Sequence, residues 1–369
     1  MPRFSRRSFL HLSAAASVAA IFRGQGEAQM AAAARPATHS VDAVIIDANE
    51  NPLGPSQAAR DAVAAVIPNG GRYAFNLTRD LATTFAKIEG LSPEWVRATV
   101  GSTPGLGLTV LAFTSPTRSY VTADPGYEYG FNTANNSGVR VVNVPLTKNY
   151  AHDVKAMLAA APDAGLFYIC TPNNPTGTLT PHSDIEYLVA NKPKDSIVLV
   201  DEAYIHFSEA PSVLDLVKDG KDVILLRTFS KIYGLAGLRC GFVIARPDLL
   251  TKVMQRGGFN PMPVTAVVAA TASLNDPQLV PERRRINATV RQRTFEWLDR
   301  NGYSYIPSQS NCFLLDTRRN AKDVREAMAK ENVLIGRAWP IMPTHARITV
   351  GTAEEMEKFQ AAFQKVMKT

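Results

Sequence analysis

Six short apolar runs alternate with helix-length intervals between residues 119 and 245. Ser119–Thr122, Val139–Val144, Leu166–Ile169, Ile197–Val200, Val223–Thr228 and Cys240–Ala245 consist mostly of apolar and β-branched residues between polar or turn-forming ones, as strands do. Several lack the alternation of a strand with one wet face and so belong to a sheet covered on both sides. Gly105–Phe113 and Ser183–Asn191 read as helices between them, which makes the architecture α/β, with a mostly parallel sheet between helices. A basic amphipathic stretch over 281–301 reads as an interdomain helix. Beyond it, Cys312–Asp316 and Ala346–Val350 are strand candidates, and Lys322–Lys330 and Ala353–Lys368 helical ones. The chain has 369 residues, and single cores stop growing at roughly 250–300. The expected organisation is a large domain over 61–265, a smaller α+β domain over 266–369, and an arm over 35–60 that contributes to the smaller one.

Residues 1–34 read as an address. Ser5-Arg6-Arg7-Ser8-Phe9-Leu10 precedes an apolar run from Leu12 to Phe22 and then small residues over 28–34, the pattern of a twin-arginine export signal. The run is too short to span a bilayer, which takes about 20 residues. A periplasmic or otherwise exported protein, handed to the twin-arginine machinery, is the expectation; a start at Met30 would leave it cytoplasmic. This segment carries part of the net charge of +7, and what remains forms no basic block, so no nucleic-acid partner is expected. Cys170, Cys240 and Cys312 are far apart, without the paired spacing of a metal or redox site, and read as small buried hydrophobes; no metal is expected.

The densest chemistry lies in Thr228-Phe229-Ser230-Lys231 and the Gly234-Leu235-Ala236-Gly237-Leu238-Arg239 that follows. A lysine at the end of a buried strand is desolvated, which favours its neutral, nucleophilic amine, fit to form an imine with an aldehyde cofactor. The Thr228 and Ser230 hydroxyls and the Arg239 guanidinium suit a phosphate. Asp201 ends the apolar run 197–200, where open parallel sheets bind ligands, and a protonated pyridine nitrogen would satisfy its charge. Tyr204 and the Asn174 amide are placed to reach a phenolic oxygen of the same ring, and Tyr127, after Asp124-Pro125-Gly126, offers a face for stacking. Gly101-Ser102-Thr103-Pro104-Gly105 precedes a helix whose first N–H groups bind phosphate. Taken singly, each feature has a plainer reading: a solvated lysine beside a capping serine, a helix-capping aspartate, a structural turn around Asn174, a core tyrosine.

Together they resemble the fold-type I pyridoxal-phosphate aminotransferases, and among these the histidinol-phosphate aminotransferase group. Further markers are Asn49-Glu50-Asn51-Pro52-Leu53-Gly54-Pro55, Arg72-Tyr73, Asn173-Asn174-Pro175-Thr176-Gly177, Asp201-Glu202-Ala203-Tyr204 and Arg347-Ile348-Thr349-Val350-Gly351. The resemblance covers residues 45–365. It implies an enzyme that moves an amino group between an amino acid, or an amine like histidinol phosphate, and a 2-oxo acid, with pyridoxal 5'-phosphate held as a Schiff base on Lys231. Lys231, Asp201, Tyr127 and Asn174 are then the catalytic set. Ser102, Thr103, Tyr127, Asn174, Asp201, Tyr204, Thr228, Ser230, Lys231 and Arg239 hold the cofactor, joined by Tyr73 from the neighbouring subunit of a homodimer. Arg347, Arg337 and Asn51 face the substrate, Arg347 as the carboxylate clamp. Two positions depart from the group: the turn 102–105 lacks its acidic Asp-Glu pair, and Ala74-Phe75 follows Arg72-Tyr73 in place of Pro-Asp. The same scaffold admits a decarboxylase, a lyase or an oxidative deaminase, and, outside enzymes, a non-catalytic cofactor-binding module.

Overall fold

The computed structural model describes residues 43–257 and 261–368, so the export-signal reading of residues 1–34 lies outside the described residues. From Ile45 onward the chain forms one compact unit. At its centre is a seven-stranded sheet. In chain order the strands are β1 (Val96–Thr99), β2 (Ser119–Asp124), β3 (Val141–Pro145), β4 (Ala164–Cys170), β5 (Ile197–Asp201), β6 (Val223–Thr228) and β7 (Gly241–Ile244). In space they run β1-β7-β6-β5-β4-β2-β3. Strands β2 to β6 are mutually parallel, whereas β7 is antiparallel to both β6 and β1.

Every residue of β4, β5 and β6 is buried, as the unbroken apolar runs require. The sequence expectation missed β1, because Val-Arg-Ala-Thr has no apolar run, only one fully buried residue and an edge position. Helix α1 (Ser102–Phe113) lies on the sheet, touching β1, β4, β5, β6 and β7. Helices α2 (Leu279–Arg300), α3 (Ala321–Lys330) and α4 (Ala353–Lys368) accompany a second sheet of two antiparallel strands, β8 (Cys312–Asp316) and β9 (His345–Thr349). All three cysteines are free and buried.

Parallel pairing brings the carboxyl ends of the strands to one edge. Cys170 is in register with Asp201, and Asp201 with Leu226, so the loops after β4, β5 and β6 leave the sheet side by side. A buried arginine ties the amino-terminal stretch to this edge: Arg283 of α2 donates from Nη1 to the Ile232 carbonyl at 2.9 Å and from Nη2 to the Gly54 carbonyl at 2.6 Å.

Candidate active site

The site forms where these loops meet α1 and the β9 region. Lys231, which directly follows β6 and its Phe229-Ser230 turn, is half-buried, and its Nζ makes one long hydrogen bond, 3.5 Å to the Ala48 carbonyl. Burial, followed by the positive charge of Arg347, pushes its amine down from the ordinary lysine range to about 8. The amine therefore loses its proton in the range where enzymes work. Capture of pyridoxal phosphate by the apoprotein should accelerate about tenfold per pH unit up to about 8 and level off above it; absorbance after rapid mixing measures this, and a rate flat from about pH 6 to 9 would contradict it.

Asp201 is buried, with Oδ2 accepting from the Tyr168 hydroxyl and Oδ1 from the Ala203 N–H, both at 3.1 Å. Burial outweighs these bonds and raises its carboxyl to about 6. Among the described residues no basic side chain is ion-paired with it. A charged carboxylate so placed calls for a cationic partner. It caps no helix, since the next helical turn begins at Ile205, with Tyr204 as its cap residue.

A cup of donors stands at the start of α1. Gly101 precedes that helix with φ +82°, and a Cβ there would lie 2.4 Å from Arg239 Nη2. Only glycine lets the turn approach the guanidinium so closely. At Gly241 of β7 a Cβ would lie 2.6 Å from the Ser102 nitrogen, so this strand allows the helix start to sit directly against the sheet. Arg239, itself at φ +68°, reaches Ser230 Oγ at 3.4 Å, and Ser230 Oγ accepts from Thr228 Oγ1 at 3.0 Å. Tyr127 is held by a side-chain hydrogen bond from Thr103 and feels the charges of Asp201 and Arg239. Ser102, Thr103, Thr228, Ser230 and Arg239 thus converge on one helix N-terminus, a setting for a phosphate.

Arg347 of β9 donates from Nη1 to Asn174 Oδ1 at 2.9 Å and from Nη2 to the Asp47 carbonyl at 2.7 Å. Its Nε is buried without a hydrogen-bond partner among the described residues, an unspent donor. Because Asn174 spends its carbonyl on Arg347, its NH₂ remains to donate. Tyr204 is buried, and its hydroxyl accepts from Asn49 Nδ2 at 3.2 Å, while the Lys231 Nζ lies 5.5 Å from its ring centre.

Three residues expected at the site are placed differently from this group. Asn51 is engaged on both sides of its amide, donating to the Ile232 carbonyl at 2.9 Å and accepting from the Leu53 N–H at 3.1 Å, so it anchors the amino-terminal stretch to the Lys231 loop. Arg337 is ion-paired with Glu128. Tyr73 is 70% exposed and stacked on Phe75, with centroids 5.3 Å apart. Sequence reading passed over Tyr168, Glu128 and Trp339, and gave Asn49, which opens the marker 49–55, no role of its own. Trp339 donates from Nε1 to the Gly126 carbonyl at 3.1 Å, which joins the segment before β9 to the Tyr127 loop. Whether inside a motif, like Asn49, or outside one, each acts through a partner 33 to 213 positions away.

The residues fit pyridoxal phosphate: an unpaired buried carboxylate for its ring nitrogen, a depressed lysine for its aldehyde, and a donor cup for its phosphate. Comparisons with known proteins agree. The model of the family "aminotransferase class I and II" matches residues 42–363. Histidinol-phosphate aminotransferase of Symbiobacterium thermophilum is 33% identical over 329 residues, which cover 88% of this chain and 91% of that protein. The aromatic amino acid aminotransferase of Cutibacterium acnes is 31% identical over 338 residues, 90% of this chain and 95% of that one. The crystal structure of histidinol-phosphate aminotransferase from Sinorhizobium meliloti in complex with pyridoxal-5'-phosphate has a TM-score of 0.81 at 27% identity, over 88% of this chain and 91% of that chain. The fold, the chemistry of the site and the match along nearly the whole described chain lead to one conclusion: this protein belongs to the class I and II aminotransferases, pyridoxal-phosphate-dependent enzymes of fold type I.

Proposed function

We propose that the enzyme transfers the amino group of an α-amino acid to a 2-oxo acid, with Lys231 as the acid–base residue and Arg347 as the receptor of the α-carboxylate. The observation that carries this reading is a depressed lysine that feels the charge of Arg347, an arginine with an unspent Nε, and whose own charge is felt by the buried Asp201. Pyridoxal phosphate, when bound, supplies an aldehyde that condenses with amines and a ring that accepts the electron pair freed at the substrate α-carbon. Asp201 keeps a positive charge at the ring nitrogen. The Asn174 NH₂ and the Tyr204 hydroxyl orient the ring through its phenolic oxygen, and Tyr127 covers one face. Ser102, Thr103, Thr228, Ser230 and Arg239 bind the phosphate. The Lys231 amine would take the proton from the substrate α-carbon and hold it for return, for which a group near neutrality is best suited.

A dimer completes this reading. The exposed, mutually stacked rings of Tyr73 and Phe75 offer an apolar surface of the kind that subunit contacts cover, and Tyr73 would reach the phosphate of a second subunit. Export rests on Arg6-Arg7 and the apolar run after them. The test of the function is an absorbance titration of the holoenzyme with a panel of amino acids. Conversion of the cofactor to its amine form, reversed by a 2-oxo acid, is the expected result, and failure with every donor would sink the proposal. Arg347→Gln should lower kcat/KM for α-amino acids about a hundredfold and change it far less for amines without a carboxylate.

A further inference from the structure

The mouth of the site holds a second arginine, and its charge is already spent. Arg337 and Arg347 are backbone neighbours: the Arg347 N–H donates to the Arg337 carbonyl at 3.2 Å, and the Gly336 N–H to the Arg347 carbonyl at 2.8 Å. Both guanidinium groups lie against the Trp339 ring, with Cζ 4.3 Å from its centre for Arg337 and 5.6 Å for Arg347. Trp339 in turn is bonded to the Gly126 carbonyl of the loop that presents Tyr127. The next residue of that loop is Glu128, which meets Arg337 in a two-pronged contact, Nη1 to Oε1 at 2.9 Å and Nη2 to Oε2. The fork geometry and the tryptophan face together pin the Arg337 side chain in place. Burial, and after it the negative charge of Glu128, raises the carboxyl of Asp124, four residues before Glu128.

An incoming substrate thus finds one arginine with an unspent donor and one neutralised by a protein carboxylate. A donor with a single carboxylate satisfies Arg347 and presents its side chain to an electroneutral wall. A donor whose side chain carries an anion, a carboxylate or a phosphate, must displace Glu128 from Arg337 or meet the Glu128 carboxylate. We propose that Glu128 is a specificity-determining residue: its pairing with Arg337 restricts the enzyme to amino acids with uncharged, apolar or aromatic side chains, against dicarboxylic amino acids and phosphorylated amines. The selection works by repulsion as well as by attraction. It rests on the reading of Arg347 as the carboxylate receptor. Both partners of the pair are partly solvent-exposed, so the effect is tens-fold and not thousands-fold.

The test uses the holoenzyme and single-turnover conversion of the cofactor to its amine form, with phenylalanine, glutamate and histidinol phosphate as donors. Wild-type enzyme should favour phenylalanine over either anionic donor by at least about thirtyfold in kcat/KM. Glu128→Gln frees Arg337 and should shrink that preference about tenfold. Adding Arg337→Gln to Glu128→Gln should abolish the gain, because the freed guanidinium is what receives the side-chain anion. Cofactor absorbance of each variant checks that the site is intact. Wild-type preference for glutamate or histidinol phosphate would overturn the inference, as would a Glu128→Gln effect equal for all three donors or a gain that survives the second substitution. In those cases conversion still occurs and the aminotransferase reading stands; absence of conversion with all three donors would overturn that reading and this inference with it.

Discussion

Lys231→Ala is expected to lower turnover by at least about 10⁴-fold while leaving the protein folded. Two functions are lost together: the amine that captures the cofactor aldehyde, and the base positioned at the substrate α-carbon. No described side chain is placed to take over, since Arg347 is engaged with Asn174 and the Asp47 carbonyl and Asp201 is committed to Tyr168 and Ala203. Stability should hardly suffer. The lysine makes one long hydrogen bond, and removing a desolvated cation that Arg347 repels offsets the packing that is lost. Steady-state rates and a thermal melt of the apoprotein measure the two halves, and turnover within tenfold of wild type would refute the assignment of Lys231 as the acid–base residue. Partial recovery with an added small amine would show that the missing group is the amine itself and not the shape of the loop.

Asp201→Asn should separate function from stability in the other direction. The folded-state value of this carboxyl is raised by burial to about 6 from 3.8. The sign follows from linkage: below about pH 4 the group is protonated folded or unfolded and costs nothing. As pH rises toward and past 6, the unfolded chain releases its proton more readily than the folded one, and the apoprotein loses up to on the order of 3 kcal/mol. Asparagine removes that cost. The apoprotein variant should therefore melt no lower than wild type at pH 7.5, and higher by as much as a few degrees, with the difference fading toward pH 4. Turnover should fall about 10³-fold, because nothing then keeps the positive charge at the cofactor ring nitrogen. A variant that melts well below wild type at pH 7.5 would show the carboxylate to be a structural anchor, and one that keeps its turnover would remove Asp201 from the chemistry.

Most of the sheet was legible before any coordinates. Strands β4, β5 and β6 are bounded within a few residues of their apolar runs, because a strand buried on both faces leaves an unbroken run. The helix after Gly101 was legible from its turn, although it starts at Ser102 and not at Gly105. Strand β1 was not, since an edge strand needs no continuous apolar pattern. At the site, Lys231, Asp201, Arg239 and Arg347 stand in motifs whose residue types are hard to explain otherwise. Asn51 carries a motif too, yet its amide is consumed by the Ile232 carbonyl and the Leu53 N–H, which no spacing reveals.

Local patterning, then, was enough to establish the α/β class and the buried strand ends, and to single out Lys231 as the candidate nucleophile, because burial and turn chemistry act over a few neighbouring residues. The charge state at the mouth of the site was decided only by tertiary contact. Glu128 and Arg337 are 209 positions apart, and the Arg347–Asn174 bond spans 173. Coulomb energy depends on distance in space and on exclusion of water, and neither can be read along a chain until the fold has brought its distant parts together.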